Sequence, residues 1–332
     1  MTTTSRTRLP SLPLVFTVAE ARAKGASRSR LRRLDLAVPL HGARVQSVGT
    51  PPTWTGLGFA APPHSWTVED LTALQRLRPD AVLSHATAAH LHGIPRPLDR
   101  AVDAPEPVSV STPRDVRRPG VRVHRRTVPP EHRSVVHGLT VTSPERTWAD
   151  LCAVRPRWDE ADLVAAGDHL VRHPWAGGAR LPPRTTVERL AEVLEALAPF
   201  HGVGRARAAL GRVRVGADSA METHARLALI DARLGEPLLQ HKVAPDDPAL
   251  AESDLYFADL RVALEYDGEH HLDRQQQARD ARRDRRLLSY GVTPMRITAA
   301  DHAEGYRSVI AQLQQRRRAH DSPSEETARG ES

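Results

Sequence analysis

The stretch ALEYDGEHHL at 263–272 runs from apolar residues straight into Glu265, Asp267, Glu269, His270 and His271. Val262, Leu264 and Tyr266 alternate with Ala263, Glu265 and Asp267. That is the two-residue period of a strand, so Glu265 and Asp267 project to one side. The preceding strand, expected over 253–258, carries Asp254 eleven residues before Glu265, with a turn beginning near Asp259 between them. If the two runs pair as a hairpin, Asp254 and Glu265 meet at one end of a sheet. Two adjacent carboxylates repel unless something cationic lies between them, and a hard divalent ion such as Mg²⁺ or Mn²⁺ takes oxygen ligands of this kind. Such an ion polarises a phosphodiester oxygen and lowers the pKa of a coordinated water. An imidazole just past the strand end, from His270 or His271, is placed to accept that water's proton. Glu222, on the helix before the sheet, is placed to orient the water or a ligand without itself binding the ion.

Taken singly, each of these residues has an ordinary explanation: Asp-Gly is a common turn, and surface histidines are usually idle. The combination points to metal-assisted hydrolysis. His85, His90 and His92 in VLSHATAAHLHGIP form a second concentration of imidazoles. Their spacing does not bring all three to one helical face and no carboxylate lies nearby, so they are expected to be structural.

The chain of 332 residues, 40% hydrophobic, is long enough for two or three cored domains, and no apolar stretch approaches a membrane span. The early LPLVFTVAEA is interrupted by prolines and acidic where a leader-peptide cleavage site would be neutral, so a cytoplasmic protein is expected. The single cysteine, Cys152, suits a reducing compartment and removes cysteine-based zinc sites from consideration. The formal charge of +7 favours a polyanionic partner, with nucleic acid the first candidate. Lys24 and Lys242 are the only lysines, so the charge is almost wholly arginine, as a GC-rich coding sequence would also produce.

These motifs require elements to hold them. Thr17 reads as a helix N-cap and Gly25 as a turn. A second helix, expected over 27–34, carries Arg28, Arg30, Arg32 and Arg33 and is followed by a hairpin-like run to Val48. That is the plan of a winged helix-turn-helix whose basic helix enters a DNA groove, here over 14–50. A Pro/Gly-rich linker at 51–63 leads to a small α+β middle domain over 64–175 and a helical linker over 176–215. From 216 to 319 the pattern is a helix, three strands, a long helix over 273–290, a strand and a last helix over 303–319. A polar tail over 320–332 is expected to be disordered. The fold class expected is therefore α/β and multidomain.

The segment from about Ser219 to Ala319 resembles the DUF559 group of the PD-(D/E)XK nuclease superfamily, akin to very-short-patch-repair endonucleases. The resemblance lies in Glu222 with Arg226 and Leu227, Gln240, SDLYF around Asp254, EYDGEHH, Asp280, Arg283, Leu287, Gly291 and MRIT at 295–298. It implies a restriction-endonuclease-like mixed sheet flanked by helices and metal-dependent cleavage of DNA. Asp254 and Glu265 would be the metal ligands, His271 the base and Glu222 a supporting acid. The superfamily's usual lysine two residues after the second acid is replaced by Asp267, as in the DUF559 group. The cationic role then falls to Arg279, Arg283 or Lys242. The first 170 or so residues resemble AbiEi-type antitoxins and regulators through LSHATAAHLHGIP, PGVRVHRR and GLTVTSPERTWADL. This implies DNA binding through the winged helix and a cognate toxin as partner.

The function expected is a Mg²⁺- or Mn²⁺-dependent DNA endonuclease targeted by a winged helix. Arginines of the long helix, Arg279 and Arg283 among them, would bear on DNA, and a repair factor is a further expected partner. The alternatives are a non-catalytic DNA-binding regulator of a toxin-antitoxin system, and a hydrolase of RNA or nucleotides using the same site.

Overall fold

Thr17 closes the first helix onto its own backbone: its hydroxyl accepts from Glu20 N at 3.0 Å and the Glu20 carboxylate accepts from Thr17 N at 2.6 Å. The same reciprocal cap starts helices at Thr67, Asp159 and Thr298, so four starts are written locally in the sequence. The structure, a computed structural model, describes residues 12–46, 53–54, 65–97, 107–154, 157–248, 250–267 and 274–321, with the backbone alone at 274–278. The expected linker at 51–63, apart from Thr53 and Trp54, and most of the expected tail lie outside the described residues. The chain is a mixed α/β protein of two compact units, Met1–Trp158 with Arg189–Val203, and Asp159–Glu188 with Gly204–Ser332.

In the first unit, β1 (Val15–Thr17), α1 (Val18–Ala23), β2 (Leu36–Ala37) and β3 (Ala43–Gln46) form an antiparallel sheet in the order β1-β3-β2. The expected basic helix over 27–34 is not an α-helix. It is one 3₁₀ turn, Arg30–Arg32, started where the Ser27 hydroxyl accepts from Arg30 N at 3.2 Å. The reason is burial: Leu31 enters the small core with Phe16, Ala21 and Leu36, whereas Leu34 is fully exposed and gives a longer helix nothing to pack. Arg28, Arg32 and Arg33 remain exposed, and Arg30 pairs with Asp35 at 2.9 Å.

Besides this small core, the subdomain packs on the next helix. Val15, Ala43 and Val45 pack against Ala73 of α2 (Val68–Leu77), and Arg76 reaches Glu20 at 2.9 Å. Beyond α2 come β4 (Val82–Leu83), α3 (His85–Leu91), β5 (Val108–Thr112), β6 (Val121–Arg125), β7 (Arg133–Val136), β8 (Leu139–Thr142) and α4 (Pro144–Cys152). The strands form a mixed sheet in the order β6-β5-β4-β8-β7. The histidines of this region serve the interior. His92 Nε2 meets Thr142 O at 2.7 Å, His85 Nδ1 meets Ser84 Oγ at 3.0 Å, and His90 stands edge-on to Trp54. His85 also stacks on His124 at 3.4 Å, and burial holds both rings neutral, pushed down to about 3.

The second unit begins earlier than the expected boundary at 175, because α5 (Glu160–Val171) packs on α8 (Ala220–Asp231) rather than on the middle domain. Asp168 fixes that contact: it accepts from Arg226 at 2.8 Å, Thr223 Oγ1 at 2.9 Å and Arg214 N at 2.7 Å. The hairpin β9 (Trp175–Ala176) and β10 (Ala179–Arg180) follows; α6 (Val187–Leu197) belongs almost wholly to the first unit, and the chain returns to the second along α7 (Val203–Arg212). After α8 come β11 (Leu238–His241), β12 (Ser253–Phe257), β13 (Val262–Tyr266), α9 (Arg274–Ser289), β14 (Thr293–Ile297), α10 (Ala299–Ala303) and α11 (Arg307–Asp321).

The sheet order is β11-β12-β13-β14, antiparallel twice and then parallel, as a mixed sheet was expected to be. One face, with Leu255, Phe257, Val262, Leu264 and Ile297, packs with Ala225 and Leu229 of α8 and Val309 and Leu313 of α11. On the other face Ala263 meets Leu287 of α9. The last helix, expected unbroken over 303–319, is interrupted where Gly305 and Tyr306 take left-handed backbone, φ +65° and +57°.

Arg226 and Asp168 are each 1% exposed, so removing either leaves a buried charge without its partner. Arg226→Ala and Asp168→Ala are each expected to destabilise the second unit by ~3–5 kcal/mol. Urea unfolding should give a double-variant loss well short of the sum of the two.

Candidate functional site

Register brings the acids together. Leu255 pairs with Leu264 and Tyr256 with Ala263, so the next step of the same antiparallel ladder sets Asp254 against Glu265. The Asp254 carboxylate accepts the backbone N–H of Tyr266 at 2.9 Å. Glu222 arrives from the first turn of α8, where Ser219 Oγ accepts its N–H at 3.2 Å, and its own carboxylate accepts Asp218 N at 2.9 Å. Gln240 spans the group: its Nε2 lies 3.3 Å from Glu222 Oε2 and 3.4 Å from Asp254 Oδ1. The ladder thus sets Asp254 opposite Glu265, and Gln240 links Asp254 to Glu222.

Gln240 has φ +46°, a left-handed conformation disfavoured for a side chain of this kind, inside a strand whose neighbours Leu239 and His241 pair regularly with Leu255 and Ser253. The backbone is turned at the one residue whose amide joins the two acids. Its Oε1 is also occupied, accepting from Arg180 at 3.0 Å. The sequence had marked Gln240 only as part of a motif. Its bridging role depends on a backbone angle that no residue pattern encodes.

The acids are costly to hold in this state. Burial pushes Glu222 and Glu265 up to about 7 and raises Asp254, and the negative charge of Asp254 adds to the shift of both glutamates. One oxygen of Glu265, Oε1, is buried with no hydrogen-bond partner. The other is paired with Arg283 of α9, whose guanidinium also donates to Glu252 O at 2.8 Å. Arg283 sits one helical turn before Leu287, which anchors α9 on the sheet through Ala263. The packing that buries the helix therefore aims the arginine. Of the three cations considered for the missing lysine, Arg283 is the one in contact with an acid of the site.

Asp267 is not brought into the group. It is exposed beyond the strand, its backbone N–H donating to Ile297 O at 2.8 Å, because β13 ends at Tyr266. His270 and His271 lie outside the described residues. Arg279 lines an open groove of about 760 Å³ along α9 with Arg282, Arg283, Arg285 and Arg286. Arg286 is paired with Asp247, and Arg296 with Asp284 at 3.2 Å.

An unpartnered buried carboxylate oxygen, acids whose protons are retained near neutrality, and an all-oxygen donor set fit a hard divalent cation. No three His, Cys, Asp or Glu side chains among the described residues form a ready-made metal cluster. Mg²⁺ is commonly held by one or two carboxylates, with water and phosphate oxygens completing the shell, and Asp254 with Glu265 supply that minimum. No family model, no curated protein and no solved structure matches this chain.

Two measurements test this description. Glu222 and Glu265 bind protons more tightly folded than unfolded, so metal-free stability is fully supported below about pH 4.5 and declines as pH rises through 7. In EDTA the melting temperature should fall between pH 5 and 8, and Glu265→Gln should flatten that slope. At Gln240 the usual strand order should invert: Gln240→Gly is expected to be ~1 kcal/mol more stable than Gln240→Ala by chemical denaturation, because only alanine retains the left-handed strain.

Proposed function

We propose that the second unit is a divalent-metal-dependent nuclease that hydrolyses phosphodiester bonds, with DNA as substrate. The observation that carries this reading is the placing of Asp254 opposite Glu265 at one sheet end and beside Glu222, with a buried oxygen of Glu265 left without a partner. Asp254 and Glu265 would hold Mg²⁺ or Mn²⁺. When bound, such an ion polarises a phosphodiester oxygen and makes water a competent nucleophile at neutral pH.

This chain's residues do the rest. Gln240 keeps Glu222 and Asp254 at fixed separation, so the site needs little rearrangement on loading. Arg283 neutralises Glu265 in the metal-free protein, and its guanidinium is then at hand for the charge that grows on a phosphoryl group. Arg279, Arg282 and Arg285, exposed along the same helix, supply counter-charge for neighbouring phosphates. His271 is proposed as the base on the resemblance stated for EYDGEHH, beside the geometry of the acids.

The regulator reading is weakened by the 3₁₀ turn at Arg30–Arg32, which is too short to lie along a major groove as a recognition helix does. The exposed Arg28, Arg32 and Arg33 can still meet phosphates without reading bases. No helix among the described residues is long and apolar enough to cross a membrane.

Purified protein incubated with supercoiled plasmid is expected to nick it with Mg²⁺ or Mn²⁺ and not with EDTA. Asp254→Asn and Glu265→Gln should each lower the rate by at least ~100-fold. Arg283→Gln should lower it less. Tight DNA binding without cutting under either metal, unaltered by these substitutions, would replace the nuclease with a binding protein.

A further inference from the structure

Beside the acids lies a cavity of about 340 Å³ whose wall includes Trp175, Arg180, Gln240, Lys242, Leu250 and Glu252. Trp175 is 62% exposed, although a large aromatic ring ordinarily gains most by burial. It is not loosely placed. The β9–β10 hairpin turns through Gly177 and Gly178, both left-handed at φ +60° and +82°, the pair of conformations a two-residue hairpin turn demands.

That turn sets Arg180 directly across from Trp175, with the guanidinium 5.6 Å from the ring centroid. Arg180 is itself immobilised: it donates to Asp218 at 2.6 Å and 2.8 Å, to Glu252 at 2.9 Å and to Gln240 Oε1 at 3.0 Å. A four-way anchored arginine therefore buttresses an indole that is otherwise open to solvent. The pocket is open to solvent, and its volume, at the small end for ligand sites, matches one nucleoside-sized group.

We propose that this cavity receives a single unstacked nucleobase of the bound strand, with Trp175 as its stacking platform. The inference rests on the nuclease reading and narrows its substrate to nucleic acid with a base out of the helix: single strands, unpaired sites or mismatches. The ring supplies a sequence-tolerant stacking face, since every base has a π-surface. Lys242 supplies a cation for the adjoining phosphate, and the polar edges of Gln240 and Glu252 face the same space. Gln240 links the two sites, because its Oε1 holds Arg180 of the base pocket while its Nε2 holds Glu222 and Asp254. A base seated against Trp175 thus bears on the residue that spaces the acids.

The test uses the full chain in EDTA and a fluorescein-labelled single-stranded oligonucleotide, read by anisotropy, with a fully paired duplex in parallel. Trp175→Ala is expected to weaken single-strand binding roughly 5- to 100-fold, the range for losing one base–aromatic stack, and Trp175→Phe to recover most of it. Duplex binding should be unchanged. With 2-aminopurine placed at successive positions, one position should be quenched by wild-type protein and not by Trp175→Ala. Equal single-strand affinity in wild type and Trp175→Ala, or an equal loss on single strand and duplex, overturns the base pocket. If the wild type nicks plasmid with metal while Trp175→Ala binds and cuts single strands normally, the pocket alone falls. If the wild type binds neither oligonucleotide and cuts nothing, the nuclease reading falls with it.

Discussion

Three carboxylates forced together in a buried corner of a sheet are the constraint on which the second unit depends. Each would gain by moving into water, and each is tied in place by something else. Glu222 is held by its helix start, Asp254 by the Tyr266 amide and Glu265 by its strand register and Arg283. The strain appears as raised proton affinity at all three and as left-handed backbone at Gln240. Costs of this kind cluster at functional sites, and under the proposed reading a bound cation would relieve them.

The surroundings follow from that corner. The apolar anchor at Leu287 fixes the rotation of α9, and the same rotation carries Arg283 onto Glu265 and leaves Arg279, Arg282 and Arg285 facing outward. Arg180 holds Gln240 from the other side, so the hairpin bearing Trp175 is joined to the acids through one amide side chain. The positive charge of the chain, read as a sign of nucleic-acid binding, is thus spent in two ways. Arg226, Arg180 and Arg283 hold the protein together, whereas Arg279, Arg282 and Arg285 of α9 face solvent. Counting arginines alone does not separate the two.

The first unit has a different economy. Three of its histidines are absorbed by the interior, with His85 and His124 stacked and neutral and His92 bonded to Thr142 O. Its amino-terminal sheet shares a core with α2, so the expected winged helix is continuous with the middle region. Near its 3₁₀ turn Arg28, Arg32 and Arg33 remain exposed.

Sequence by itself determined what is local or periodic. The capping residue Thr17 marked its helix start, and two-residue alternation marked β13. The eleven-residue spacing from Asp254 to Glu265 foretold their meeting, because a hairpin's register follows from chain length across its turn. What depended on partners distant in the chain was decided by tertiary structure alone. The basic helix at 27–34 fails because Leu34 finds no surface to bury against, and α5 joins the second unit because Arg226 lies 58 residues away in sequence. Arg283 among three candidate cations, Asp267 outside the acid group, Gln240 as the bridge and Trp175 at the cavity mouth were likewise invisible. Each is fixed by a packing angle or a backbone turn that composition and spacing do not record.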